Sequence, residues 1–283
     1  MTIKNTHTKT PCGTNIITLI MLIASLVNSS ALHAKAGDTF TQGQLTYTII
    51  DDVARLVSVK EASMSTGGSI VIPERVTNSN FTYVVKWVAS GAFVGLQHLE
   101  SVKFQKNIEI STGCFAHCPI LGSVVFHDDE GINIGRGSFQ NCPSLPHIKL
   151  PNIATISDNL FGGTGLREVL IPSSVGLIST LAFFKCTNLK YVFIPNSVTN
   201  IKERAFWECT NLEHVTLPSS LTALGNRAFN SCSELTVPNI NANNIDYLTN
   251  SAVYYLGTEL PSVSSSFYTN STMSRLYLKS SLY

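Results

Sequence analysis

Phenylalanine recurs along this chain at positions 93, 115, 139, 161, 183, 206 and 229, at intervals of 22, 24, 22, 22, 23 and 23 residues. Five positions before each stands an aliphatic residue: Val88, Ile110, Ile134, Ile156, Ile178, Ile201 or Leu224. Six positions after stands Leu99, Leu121, Leu145, Leu189, Leu212 or Leu235, with Leu166 one place early. An alternation of apolar and polar residues then predicts a short strand, as in Val102-Lys103-Phe104, Ile148-Lys149-Leu150, Val192-Phe193-Ile194 and Val215-Thr216-Leu217. Prolines follow at 73, 151, 172, 195, 218 and 238 and, having no N–H for a ladder, end the strand. A unit of 22–24 residues cannot enclose a core. Each must therefore bury its apolar positions against the next, as one coil of a solenoid with Phe, Ile and Leu in inward columns.

The unit from Leu189 through Tyr191, Phe193, Pro195, Ile201, Phe206 and Cys209 to Leu212 resembles the BspA-like leucine-rich repeat family of bacterial surface and secreted proteins. The resemblance spans about residues 70–238. It implies an α/β-type solenoid dominated by β, with one short parallel strand per 22–24-residue coil, and a role in adhesion or host interaction. The opening Gly37-Asp38-Thr39-Phe40, with Leu45 to Ile49 and Val57 to Val59, resembles the N-terminal β-hairpin cap common in such proteins. The expected organisation is a signal peptide over 1–36, a hairpin cap over 37–62, the solenoid over 63–238, and a degenerate last repeat with a C-terminal cap over 239–283. Extra residues from Asn78 to Val85 depart from the repeat, and so does the acidic turn Asp128-Asp129-Glu130. After Pro238 the pattern decays, although Val253 stands 24 residues beyond Phe229 and residues 275–279 read as a final strand.

Composition narrows the functional classes. Only 13% of the 283 residues are charged, against roughly 25% in ordinary globular chains. Nineteen basic and eighteen acidic residues give a net charge of +1, no footprint for gripping nucleic acid or an anionic membrane. Lys4, His7 and Lys9 precede an apolar run from Ile16 to Val27 and an Ala34-Lys35-Ala36 cleavage site, the pattern of a secretory signal. The run is shorter than the roughly 20 apolar residues that a bilayer span needs. The expected location is secreted or at the cell surface.

Candidate chemistry is sparse. Five of the seven cysteines, at 118, 142, 186, 209 and 232, each follow the repeat Phe by three residues. That register predicts small buried side chains stacked coil on coil, whose spacing of about 4.8 Å is wide for a relaxed disulfide. Cys114, His117 and Cys118 lack a second cluster to complete a zinc site, and the acidic turn lacks the alternation of a calcium loop. No nucleophile motif, metal site or cofactor motif emerges, so the expectation is a non-catalytic protein.

The strand phase instead places Arg167, Leu170, Lys190, Tyr191, Phe193, Glu213 and His214 outward on adjacent coils. Leu170, Tyr191 and Phe193 form an apolar centre and the charged groups its rim, the composition of a recognition patch. The expected ligand is a protein, a host extracellular-matrix or cell-surface protein being the family-level inference. The competing expectation is a secreted glycan-binding or glycan-processing protein that uses Tyr191 and Phe193 as a stacking platform.

Overall fold

The seven phenylalanines form one column. In the computed structural model, rings 93, 115, 139, 161, 183, 206 and 229 stack in succession, with centroids 4.9, 5.6, 5.9, 5.4, 4.9 and 5.0 Å apart. These separations lie within the range of offset-stacked aromatic pairs. The structure describes residues 35–62, 68–106, 108–127, 131–218 and 220–235, together with the backbone of three short strands beyond them. The signal-peptide expectation and most of the C-terminal cap lie outside the described residues.

The aliphatic and leucine columns flank the rings, and every member named above is buried in the same continuous core. Two parallel ladders enclose it. On the strand face, β4 (Gly68–Ile72), β7 (Leu99–Phe104) and β9 (Ser123–Val125) form one sheet. A second sheet on this face runs β11 (Glu168–Leu170), β13 (Tyr191–Phe193), β15 (His214–Leu217), β17 (Asn239–Ile240), β18 (Val253–Tyr255) and β19 (Leu276–Leu278). The aliphatic column makes the opposite ladder, in which β10 (Thr155–Ile156), β12 (Leu177–Ile178), β14 (Asn200–Ile201) and β16 (Ala223–Leu224) pair in register. Most C-terminal coils thus carry two short strands, not one, because the residue before each buried aliphatic also pairs with its equivalents. Exposure alternates with buried centres in β9, β11 and β13, as the sequence phase requires.

Among the described residues there is no helix, so the α component of the expected α/β-type fold is absent. The cause lies in the turns around each phenylalanine. In the coil of Phe183, the N–H groups of Leu181, Phe183 and Lys185 donate to Glu203, Ala205 and Trp207 of the next coil, at 3.2, 2.7 and 2.8 Å. The intervening Ala182, Phe184 and Cys186 close local turns onto Ser179, Leu181 and Phe183. A helix needs every N–H to donate within its own segment, and here every second one leaves it. The backbone alternates accordingly. Leu181 and Lys185, two residues before and after the ring, are left-handed at φ 58° and 55°, and Arg204, Glu208, Arg227 and Ser231 repeat this in the next two coils. Gly113 and Gly137 hold the first of these positions in earlier coils, where the left-handed region is free of Cβ strain.

The N-terminal sheet is built differently. β1 (Thr39–Gln42) pairs antiparallel with β2 (Leu45–Asp51), which pairs with β3 (Leu56–Ala62). The same sheet takes in β6 (Phe81–Val88) and β5 (Arg75–Asn78), while β8 (Glu109–Ile110) continues it from β6. The extra residues around Asn78 to Val85 are therefore a second hairpin in this layer. The sheet curls until its edges meet, where Thr77 N–H donates to Gln42 Oε1 at 3.1 Å. Arg55 lies over the Phe81 ring at 3.7 Å, and Asp52 accepts from both Arg55 and Tyr83 at 2.7 Å, tying the layer together.

Cysteine thiols line the core beside the rings. Cys118, Cys142, Cys186, Cys209 and Cys232 donate to the carbonyls of Phe93, Phe115, Phe161, Phe183 and Phe206 in the preceding coil, at 3.0–3.2 Å. Thr164 occupies this column in the coil where cysteine is missing, donating to Phe161 O at 2.8 Å. All six described cysteines are free. Burial pushes the thiols of Cys114, Cys142 and Cys232 up to about 12 and that of Cys118 up to about 11. At pH 8 such groups are thiolate at ~0.1% or less, against about a quarter of an ordinary thiol with a pKa near 8.5. Native protein treated with iodoacetamide at pH 8 should therefore carry no adduct on Cys114, Cys118, Cys142 or Cys232, and unfolded protein should carry one on each. Labelling of any of these four before unfolding would refute the burial argument.

Candidate functional site

The parallel register brings the outward residues into columns. Glu168, Tyr191 and His214 are direct partners along one, and Leu170 and Phe193 along the next, with the backbone of Thr216 in register beyond them. All seven residues of the patch come together on β11, β13, β15 and the turns before them. Leu170 is 72% exposed, Phe193 59% and Tyr191 48%, well beyond their counterparts on the inner face. Side chains with such apolar surface stay solvated here because the strands between them spend their other positions, Val169 and Val192, on the core.

Tyr191 is braced by two neighbours. Its ring stacks on His214, with centroids 5.5 Å apart and planes within 11°. Its hydroxyl donates to Glu213 Oε2 at 3.2 Å, while Lys190 Nζ pairs with Glu213 Oε1 at 3.0 Å. Hydrogen bonding to Lys190 holds the Glu213 carboxyl below its ordinary range and raises Lys190 in turn. This exposed pair adds little stability, but it fixes the orientation of the ring. Arg167 is exposed at the margin.

An open groove of about 710 Å³ runs beside the aromatic residues. Its lining includes Leu170, Tyr191 and Phe193 on β11 and β13, His147 and Lys149 on the preceding coil, and Pro172. His147 Nδ1 lies 3.5 Å from Glu168 Oε1 within this lining. The outward phase already marks His147, Lys149 and Glu168, and Pro172 belongs to the proline series that ends the strands, but the contributions of Asn152 and Ser173 to the groove come from turns that carry no periodic signal.

The arrangement suits recognition: a fixed aromatic side chain, neighbouring apolar groups and a rim of paired charges. Among the described residues, no group of three or more His, Cys, Asp or Glu side chains could hold a metal ion. No described helix is long and apolar enough to cross a membrane.

A sequence profile described as "BspA type Leucine rich repeat region" matches residues 73–190 and 154–269, in six copies. Among solved structures, a leucine-rich repeat protein of Bacteroides ovatus ATCC 8483 is similar with a TM-score of 0.62 and 24% identity, over 84% of this chain and 70% of that one. A leucine-rich cell surface protein of Faecalibacterium prausnitzii A2-165 is similar with a TM-score of 0.58 and 23% identity, over 74% of this chain. The matched region spans 56% of the length of the latter protein. No curated protein matches the chain in sequence. At these identities the two structures support a shared repeat fold.

Proposed function

Because the chain belongs to the BspA-type leucine-rich repeat family, we propose that it is a non-catalytic secreted or cell-surface solenoid that binds a protein through its strand face. In this reading the curled N-terminal sheet caps the first coil, and the partner is a host extracellular-matrix or cell-surface protein. The observation that carries the reading is the exposed cluster of Leu170, Tyr191 and Phe193 beside the groove, with Tyr191 braced by His214 and Glu213. An aromatic side chain already ordered before binding loses little further rotamer freedom in a complex. The signal-like N-terminus supports export.

A glycan ligand is the second reading, favoured by the orientation of Tyr191, whose ring is backed on one side by His214 and belongs to the groove wall. A panel of immobilised matrix proteins and glycans, probed with the purified mature chain, separates the two. We expect Tyr191→Ala with Phe193→Ala to weaken protein binding at least tenfold, the scale of losing central aromatic anchors. Retention of a single glycan class and loss of it in the double variant would favour the second reading. Turnover of any glycan would overturn the non-catalytic assignment, and unchanged binding in the double variant would remove the patch from either reading.

A further inference from the structure

Both ladders break at the same coil. On the strand face β9 pairs only with β7, and β11 begins a new sheet with β13. The intervening segment, residues 145–150, is extended but is not a strand. On the opposite face, β8 reaches the next coil only through the single bridge Ile110–Ile134, and β10 starts a separate sheet. The ring column is widest at this coil too: Phe139 stands 5.6 and 5.9 Å from its neighbours, whereas the other steps are 4.9–5.4 Å.

Proline accounts for part of the interruption. In neighbouring coils the residue after the repeat leucine carries the first rung of the strand-face ladder: Gly122 N–H donates to Glu100 O at 2.8 Å, and Lys190 N–H to Arg167 O at 2.8 Å. Pro146 stands at that position in the interrupted coil and has no N–H to donate towards Gly122, although it accepts from Arg167 at 3.0 Å. The ladder through the turns continues without a gap. Phe115 N–H donates to Ser138 O at 2.9 Å, and Phe139 N–H to Leu160 O at 3.0 Å.

Depressions lie over this coil on both faces. One is the strand-face groove, whose lining includes His147 to Leu150. The other, of about 230 Å³, is lined by Ile110, Ile132, Ile134, Gly135, Ala154 and Thr155.

We infer that the coil over residues 131–154 is an articulation that divides the stack into two cooperative halves, pivots on the continuous turn ladder, and lets the strand-face groove change width. The regulatory part of this inference rests on the groove being the binding site. In a stacked-repeat protein stability is a sum of unit and nearest-neighbour terms, so the two interfaces of this coil, where strand pairing is reduced to the Ile110–Ile134 bridge on one side and absent on the other, are where cooperativity fails first. A ligand seated across His147 and Tyr191 would bridge the moving wall and the C-terminal half, favouring one width of the groove.

The two tryptophans report on the halves separately, Trp87 in β6 and Trp207 beside Phe206. In the full chain carrying Trp87→Phe, and separately Trp207→Phe, adding Phe183→Ala should lower the denaturant midpoint followed by Trp207. It should leave the midpoint followed by Trp87 in place. Equal displacement of both midpoints would overturn the articulation. Hydrogen exchange gives a second readout: peptides within 131–154 should exchange at least tenfold faster than those covering β7 or β13, and equal protection would also overturn it. Neither measurement uses a ligand. A failed binding panel would therefore remove the proposed function and leave the articulation standing, while coincident transitions would do the reverse.

Discussion

Phe183→Ala should destabilise the protein by about 3–5 kcal/mol, the range for truncating a fully buried phenylalanine. The ring is fully buried and stacked on both sides, 5.4 Å from Phe161 and 4.9 Å from Phe206. Alanine removes both stacking contacts and leaves a hole that the column cannot close, because the backbone of the turn is held to the next coil through Leu181, Phe183 and Lys185. Phe193→Ala provides the contrast. That ring is on the strand face and largely solvated, so its loss should change stability by no more than about 0.5 kcal/mol. Denaturation of the two variants, monitored through Trp207, tests the pair. A loss below about 1 kcal/mol for Phe183→Ala would mean that the stacked column is not the core of this fold. The contrast also has a functional use, since reduced binding in a Phe193 variant of unchanged stability reports on the surface and not on the fold.

The difference between these two phenylalanines is legible in the sequence, and the reason is geometric. A column through stacked coils demands a similar side chain at each step, so Phe183 announces its burial through equivalents 22 residues before and 23 after. Phe193 has no such series, and strand phase alone turns it outward. The same logic locates the cysteine column and places Thr164 in it, a small side chain that donates to Phe161 O of its own coil where the cysteines reach the preceding one. What the sequence conceals is conformation without a residue signature. Leu181, Lys185, Arg204 and Glu208 adopt left-handed backbone although none is a residue type that favours it, because their N–H groups must reach the neighbouring coil. The break in the ladders is hidden for a related reason. Pro146 falls in phase with other outward residues, and its consequence depends on the position of Gly122 O one coil away. The groove inherits this opacity: its aromatic lining follows from register, whereas Asn152 and Ser173 reach it only through the path of the turns.

The second large effect is expected at Gly165. The coil that contains it places Leu166 five residues after Phe161, one fewer than elsewhere, and the shortened chain must cut across the preceding coil. Gly165 N–H donates to Cys142 O at 3.2 Å, and a Cβ built on Gly165 would collide with the Pro143 carbonyl, with the Pro143 carbonyl carbon 2.9 Å away and Leu145 O at 3.5 Å. The obstacle is backbone and cannot rotate aside. Gly165→Ala should therefore cost the upper end of the about 1–3 kcal/mol typical of overpacking, or more. Gly122→Ala is the matched control, since its Cβ would meet Ser144 O at an ordinary 3.6 Å and should change stability by no more than about 0.5 kcal/mol. Thermal or denaturant unfolding of both variants decides the matter: equal effects would mean that the close approach relaxes freely and that the shortened coil imposes no constraint. The expected asymmetry also bears on binding. Pro143 leads directly into Pro146 and the groove wall at His147, so a methyl group at Gly165 pushes on the coil where strand pairing is already missing. The tight approach at Gly165 thus sits at the same contact as the Arg167–Pro146 rung, between the interrupted coil and β11.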